Sequence, residues 1–385
     1  MRQIAVFGTS AYPNLRRKTT LADVGYAVLN ETVAPAPDGC TVNSISDLYL
    51  VISACTTINV GSFEVPAAKQ PLIMYLKTGT RITFTGQIVF AKRAVKGYLI
   101  EIFGKNVHVL GSSTHQFHGH GELYWDGKGG AGSPKPVFMY LRGINSVFIG
   151  LHLLNCPMRC VAIDNSNNII VSRFLIDNRA GAHGTAARGK EGHNTDGFDV
   201  AKTQYLILRD HVIYNQDDCV AINDGAHMVI DNLYCDGSHG FDIATGMSTT
   251  DVNRNVVYNI TFQNSLLYDG MYGLHILTCN DGGTGYVKNV YYKNITFSGP
   301  SDYGIMIQQD FANLAQGSTG HATGNVPISN VRYEGITGEM NGKYSYALSI
   351  RCATDGCSDI EFNEVSITNA KSSNECKNYI ISGWC

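Results

Sequence analysis

Three aspartates and one histidine stand out by type and spacing. Asp196 lies in Asn194-Thr195-Asp196-Gly197, and Asp217 and Asp218 lie in Asn215-Gln216-Asp217-Asp218-Cys219. His239 follows in Gly237-Ser238-His239-Gly240. Carboxylates crowded into one site cannot all ionise at neutral pH, so at least one pKa must rise. An acid kept protonated beside an ionised one is what glycoside hydrolysis requires. A histidine in the same register can hold or tune the acid's proton; alone it would read as a hydrogen-bonded turn residue. Two other uses of clustered acids compete. One is calcium binding through oxygen ligands, although no DxDxDG loop is present. The other is a structural ladder of Asp and Asn side chains. The isolated acids Asp251, Asp269 and Asp310 read as turn residues.

The elements that would position these groups are short strands. Runs of Val, Ile, Tyr, Phe and Thr are broken by Gly, Asn and Asp, while helical periodicity is nearly absent. One pattern recurs seven times, as Val161-Ala162-Ile163, Phe198-Asp199-Val200, Val220-Ala221-Ile222, Phe241-Asp242-Ile243, Leu274-His275-Ile276, Ile305-Met306-Ile307 and Leu348-Ser349-Ile350. Its last residues are 37, 22, 21, 33, 31 and 43 residues apart. A floor near 22 with irregular insertions predicts an all-β, single-domain parallel β-helix whose loops swell between coils. A β-sandwich competes, but it would alternate more evenly over hairpins. Four residues before each Ile or Val anchor stand Arg159, Asp196, Asp218, His239, Tyr272, Tyr303 and Tyr346. In a parallel solenoid these positions stack about 4.8 Å apart. Acids flanked by aromatic rings suit a saccharide cleft, since sugar C–H faces pack on aromatic planes. A plain solvated strand edge explains the polarity of this row, but less well its three tyrosines. Residues beside the anchors, among them Asp199, Asp242, His275, Leu277, Gln308 and Arg351, are expected on the outer face.

Composition narrows the function class. The 29 Lys and Arg against 32 Asp and Glu leave a net charge of -3, which argues against a nucleic-acid or polybasic membrane binder. A hydrophobic fraction of 44% excludes disorder, and no apolar run is long enough for a transmembrane helix. Residues 1–38 read as a leader or propeptide-like extension ahead of a catalytic domain at 39–385. The 11 cysteines fall into close pairs, Cys40/Cys55, Cys156/Cys160, Cys219/Cys235, Cys352/Cys357 and Cys376/Cys385, leaving Cys279 as an expected free thiol. Local staples of this kind suit a secreted chain. Buried free thiols are the alternative, and the cysteine spacing does not suit zinc. The sequons at Asn30, Asn259 and Asn294 are glycosylation candidates.

The quoted acidic and glycine motifs, together with Asp302-Tyr303-Gly304-Ile305, resemble glycoside hydrolase family 28, the polygalacturonases, in the form found in fungi and plant-feeding insects. The resemblance covers about residues 40–385. It implies a right-handed parallel β-helix and an inverting endo-hydrolase of α-1,4-linked galacturonan, extracellular, monomeric, and without cofactor or metal. Its implied partners are a pectic polysaccharide and a plant inhibitor protein. By carry-over, Asp217 is the general acid, Asp196 and Asp218 activate the attacking water, and His239 supports the acid. Tyr303 contacts sugar, and Asn194 belongs to the same motif. Arg159, Tyr272, His275 and Gln308 join them as expected substrate contacts. Four cysteine pairs match the family's disulfides, and Cys156/Cys160 resembles an extra pair of the insect members.

One stretch departs from the resemblance. Where the family usually carries an Arg-Ile-Lys triplet that holds a galacturonate carboxylate, this chain reads His275-Ile276-Leu277, and Phe241-Asp242 replaces a Leu-Ser pair. Losing a charged hydrogen bond costs about 1.5–3 kcal/mol. Three readings stay open. The enzyme still cuts polygalacturonan, helped by Arg159 or by Arg188 and Lys190. Or it prefers methyl-esterified pectin or xylogalacturonan. Or it is a weak or inactive pectin-binding relative.

Overall fold

The computed structural model describes residues 35–313 and 317–385. The sequon at Asn30 and most of the expected leader lie outside the described residues.

The seven recurring tripeptides fall into one parallel ladder. Val161 pairs with Phe198, Phe198 with Val220, Val220 with Phe241, Phe241 with Leu274, Leu274 with Ile305, and Ile305 with Leu348. Both apolar positions of each tripeptide are buried inside the solenoid. The middle residues Asp199, Ala221, Asp242, His275, Met306 and Ser349 therefore share the opposite face, as the period of two requires. A second ladder runs through Val256–Tyr268, Tyr286–Ser298, Ile328–Glu339 and Cys357–Thr368. A third includes Gln116–His118, His152–Leu154, Leu175–Asp177, Val212–Tyr214 and Tyr234–Asp236. Three ladders wound by successive parallel crossovers make a right-handed parallel β-helix.

Inside, aromatic rings stack from coil to coil. The centroids of Phe262 and Tyr292 are 5.0 Å apart, and those of Tyr292 and Tyr333 are 4.9 Å apart, with nearly parallel planes. At the bends, asparagines adopt positive φ and pass side-chain hydrogen bonds along the axis. Asn168 donates to Asn145 (3.0 Å), Asn294 to Asn264 (2.8 Å) and Asn330 to Asn289 (2.7 Å). Asn tolerates the left-handed region because its amide bonds locally. The sequon residues Asn259 and Asn294 belong to these bends. Asn259 Nδ2 bonds to His227 Nδ1 (2.9 Å), so both amide nitrogens are engaged in the fold.

One helix escapes the strand pattern, and two expectations need correction. The segment Ile45–Ala54 is helical, capped by Ser44 Oγ accepting from the Asp47 N–H, and it seals the solenoid's end with Leu48, Val51 and Ile52. Its apolar stripe spans under three turns, too short to register against the strand pattern. Asp310 is no turn residue: it is buried in the strand Tyr303–Ala312 and binds Ser318 Oγ (2.5 Å) and the Gly320 N–H (3.1 Å). Finally, Cys156 and Cys160 are not bridged. Disulfides join Cys40–Cys55, Cys219–Cys235, Cys352–Cys357 and Cys376–Cys385, leaving Cys156, Cys160 and Cys279 as buried thiols. Asn178 bonds both residues. Its Oδ1 accepts the Cys156 N–H (2.8 Å) and its Nδ2 donates to Cys160 Sγ (3.2 Å), while that thiol is directed at Thr195 O (3.7 Å).

Candidate active site

The backbone ladder continues into the turn that precedes the cleft strands. The Cys160 N–H donates to Asp196 O, the Gly197 N–H to Asp218 O, and the Cys219 N–H to Gly240 O. Arg159, Asp196, Asp218 and His239 are thereby stacked in consecutive coils. Asp217 enters beside them because its turn is clamped. Asn215 Nδ2 donates to both Asp217 O (2.9 Å) and Asp218 O (2.8 Å), and the Gln216 N–H donates to Thr195 Oγ1 (2.8 Å).

Asp217 is the hub. Its Oδ2 accepts from Asn194 Nδ2 (3.1 Å), its Oδ1 lies 3.4 Å from His239 Nδ1, and His193 Nδ1 stands 3.7 Å from Oδ2. Suitable ligand atoms of Asp217, Asp218 and His239 all lie within 4.8 Å of one another. Arg159 Nε faces Asp199 (3.5 Å) and Asp196 (3.9 Å).

Burial and mutual repulsion separate the acids' proton affinities. Burial, then the charges of Asp199 and Asp217, push Asp196 well above the usual carboxylate range. Burial, then Asp242 and the other acids, do the same to Asp218. Burial also opposes ionisation of Asp217, but His239, the Asp218 N–H and His193 outweigh it and hold that carboxyl below its ordinary value. His239 is correspondingly raised, because Asp217 outweighs the cost of burying the cation. Asp196 and Asp218 are thus strong bases once ionised, and Asp217 with His239 forms a pair that carries one proton.

Downstream, the floor passes through Asp242, His275 and Gln308. His275 Nδ1 lies 3.4 Å from Asp242, and Gln308 Nε2 faces His275 Nε2 at 3.2 Å. Tyr272, Tyr303 and Tyr346 pair in register and stack, with centroids 5.8 and 5.3 Å apart, as half-buried rings on the cleft. Arg351 crosses Tyr303 and is held by Glu375 at 2.9 Å. Leu277 is 6% exposed and joins Ala244, Cys279 and Phe311 in a small apolar cluster apart from the core. Arg188 and Lys190 are exposed on the loop before Asp196.

The structure brings Asp196, Asp217, Asp218 and His239 together, with Arg159 and Asn194 on one flank and Tyr272, His275, Tyr303 and Gln308 on the other. Asn194 has less freedom than a substrate contact needs. Its Nδ2 is on Asp217, and its Oδ1 accepts the Gly130 N–H (2.9 Å). Sequence reasoning missed His193, Asn215 and Thr195. His193 and Thr195 are sequence neighbours of Asn194 and Asp196, but only the fold shows which side chains turn toward the acids. Asn215, two residues before Asp217, has the spacing of an Asx turn.

A long cleft with stacked carboxylates and an aromatic wall, carried on a parallel β-helix, is the site of a polysaccharide-cleaving enzyme. The chain belongs to the glycosyl hydrolases family 28, whose model matches residues 55–385, and it is a glycoside hydrolase. It is 36% identical over 352 residues to endopolygalacturonase B of Aspergillus oryzae, covering 91% of this chain and 93% of the relative. It is 34% identical over 374 residues to a polygalacturonase of the beetle Phaedon cochleariae, covering 96% and 99%. Endopolygalacturonase I from Stereum purpureum, solved with two galacturonates, superposes with a TM-score of 0.76 at 28% identity, over 88% of this chain and 96% of the other. Endo-xylogalacturonan hydrolase from Aspergillus tubingensis shares the fold, with a TM-score of 0.72 at 20% identity over 90% and 97%.

Proposed function

We propose that this protein is an extracellular endo-polygalacturonase that hydrolyses α-1,4-galacturonosyl linkages with inversion. The observation that carries the reading is the convergence of Asp196, Asp217, Asp218 and His239 in one site, with Asp217 in contact with His239 (3.4 Å). Asp217, resupplied by His239, protonates the glycosidic oxygen as the bond to the anomeric carbon breaks. Asp196 and Asp218 orient a water on the opposite face and take its proton as it attacks. Endo action suits a cleft that follows the solenoid axis, where a polymer can lie across several coils. Four disulfides suit an oxidising compartment and a cleaved leader within residues 1–38. The catalytic domain, from residue 39 onward, acts as a monomer on pectic polysaccharide and is open to a plant inhibitor protein.

The test is time-resolved NMR of products from defined oligogalacturonides. The expected result is internal cleavage with the β-anomer formed first, and a loss of 10²-fold or more in kcat for Asp217→Asn. Retained anomeric configuration, or an Asp217→Asn variant with full activity, overturns this reading.

A second reading of the substrate is favoured by one observation. Leu277, in an apolar cluster with Ala244, Cys279 and Phe311, lies one coil from Asp242, two from Asp217 and Asp218, and three from Asp196 and Asp199. Among the cleft cations, Arg159 and Arg351 are already paired with acids. A sugar whose carboxyl is methyl-esterified, or a xylose-decorated chain, loses less there than a fully anionic one. Leu277→Lys is expected to raise kcat/KM on demethylated polygalacturonan by about tenfold, the equivalent of one charged hydrogen bond. Lower activity on every pectin tested would refute the charge argument. Pectin binding without turnover on any substrate would make the protein a binding relative.

A further inference from the structure

Away from the acid cluster, the turn Gly119–Leu123 gathers three metal-ligating side chains. His118 ends the strand Gln116–His118, His120 adopts a left-handed backbone (φ 52°), and Glu122 stands in the short 3-10 turn Gly121–Leu123. The two imidazole centroids are 4.1 Å apart, and His120 Nδ1 is 2.7 Å from Glu122 Oε1. One ligand atom from each of the three lies within 4.8 Å of the others. The turn cannot drift from the solenoid. A Cβ at Gly119 would meet the Phe138 ring, and one at Gly121 would meet Trp125, each at 2.4 Å, so both glycines press the turn onto the coil beneath.

A second observation points at the same spot. Asn155, 8% exposed in the next coil, donates its Nδ2 to Glu122 Oε2 (2.8 Å), while its buried Oδ1 has no hydrogen-bond partner. A buried amide oxygen without a donor is costly. Its chemistry completes a set of two imidazoles, one carboxylate and one amide oxygen. That set suits a borderline divalent cation such as Zn²⁺, with Zn–N of about 2.0–2.1 Å and four ligands. A bound ion would replace two internal bonds, His120 to Glu122 and the His120 N–H to His118 Nδ1.

We propose that His118, His120 and Glu122, completed by Asn155, form a Zn²⁺ site that ties the Gly119–Leu123 turn to the following coil. The strand Gln116–His118 is three ladder steps from Val212–Tyr214, which leads into the catalytic turn. That is about 14 Å along the axis, so the ion would sit outside the acid cluster.

The test is uptake of ZnCl₂ by chelator-treated full-length protein, read by isothermal titration and thermal melting. One equivalent per chain, a higher Tm reversed by chelator, and loss of both effects in His118→Ala and Glu122→Gln are expected. Asp217→Asn should bind like the wild type, and His118→Ala should keep zinc-free activity on pectin. No saturable uptake overturns the site. So does uptake that survives both turn substitutions, or that disappears in Asp217→Asn, which would place the ion on the catalytic acids. Should His118→Ala fail to fold, Asn155→Ala serves as the second variant, with weakened uptake expected and unchanged uptake against the four-ligand set.

Discussion

In the proposed mechanism, the single proton of the His239 and Asp217 pair defines the working pH range. Asp217 is lowered and His239 raised by their mutual attraction, so the pair loses its shared proton only as pH climbs through the raised histidine value. Replacing His239 with Gln leaves the proton to a lone carboxyl, whose ordinary range lies below that of imidazole. The alkaline limb of the kcat profile should therefore move to lower pH, with kcat down by about 10²-fold at the wild-type optimum. A limb that stays in place would show that Asp217 is protonated without the histidine. At this scale the sequence was highly legible for Asp196, Asp218 and His239, whose register follows from the repeat itself, and for Asp217 through the acidic motif it shares with Asp218. It was poorly legible for Thr195, Asn215 and His193. Their part depends on which way a side chain turns at a bend, and residue type alone does not say.

The strand Phe198–Ala201 shows how an element that carries chemistry bears a stability cost. Asp199 is buried in the cleft floor, and burial, only partly offset by Arg159 and reinforced by Asp217, raises its carboxyl to about 6. A carboxyl whose folded value exceeds its unfolded value of 3.8 binds more protons when folded between those two values. Stability is therefore lost as pH rises through that window and stays lost above it. Two units correspond to about 3 kcal/mol. Asp199→Asn should thus raise stability to denaturant at pH 8 by up to that amount, less whatever the Arg159 contact returns, with the gain vanishing below about pH 4. A gain that persists at pH 3 would mean the effect is packing and not charge. The ladder of tripeptides made this strand legible, since alternation fixes which residues face out. What alternation could not give was the pairing on that face, such as Asp242 with His275, because both are simply outward residues until neighbouring coils are aligned.

At the scale of the whole molecule, stability is spread along a solenoid whose interior is a continuous column of aliphatic and stacked aromatic side chains, sealed at one end by the helix Ile45–Ala54. The repeat spacing foretold the column. It did not foretell the seal, because an end needs covering only once the coils are known to stop. Four of the five cysteine pairs read from sequence are bridged, and one is not. Proximity along the chain puts Cys156 near Cys160, yet in the fold Asn178 bonds the Cys156 N–H and the Cys160 thiol. Three thiols therefore remain. Burial, then the neighbouring Cys156, push the Cys160 thiol well above its ordinary value. Burial and Asp281 push Cys279 up to about 12. Since the thiolate is the reactive form and all three thiols are buried, none should react in the folded protein at pH 8. Titration with a thiol reagent should find none before unfolding and three per chain in denaturant without reductant. One thiol after unfolding would mean that Cys156 and Cys160 are bridged, and that the Asn178 bond to the Cys160 thiol is lost.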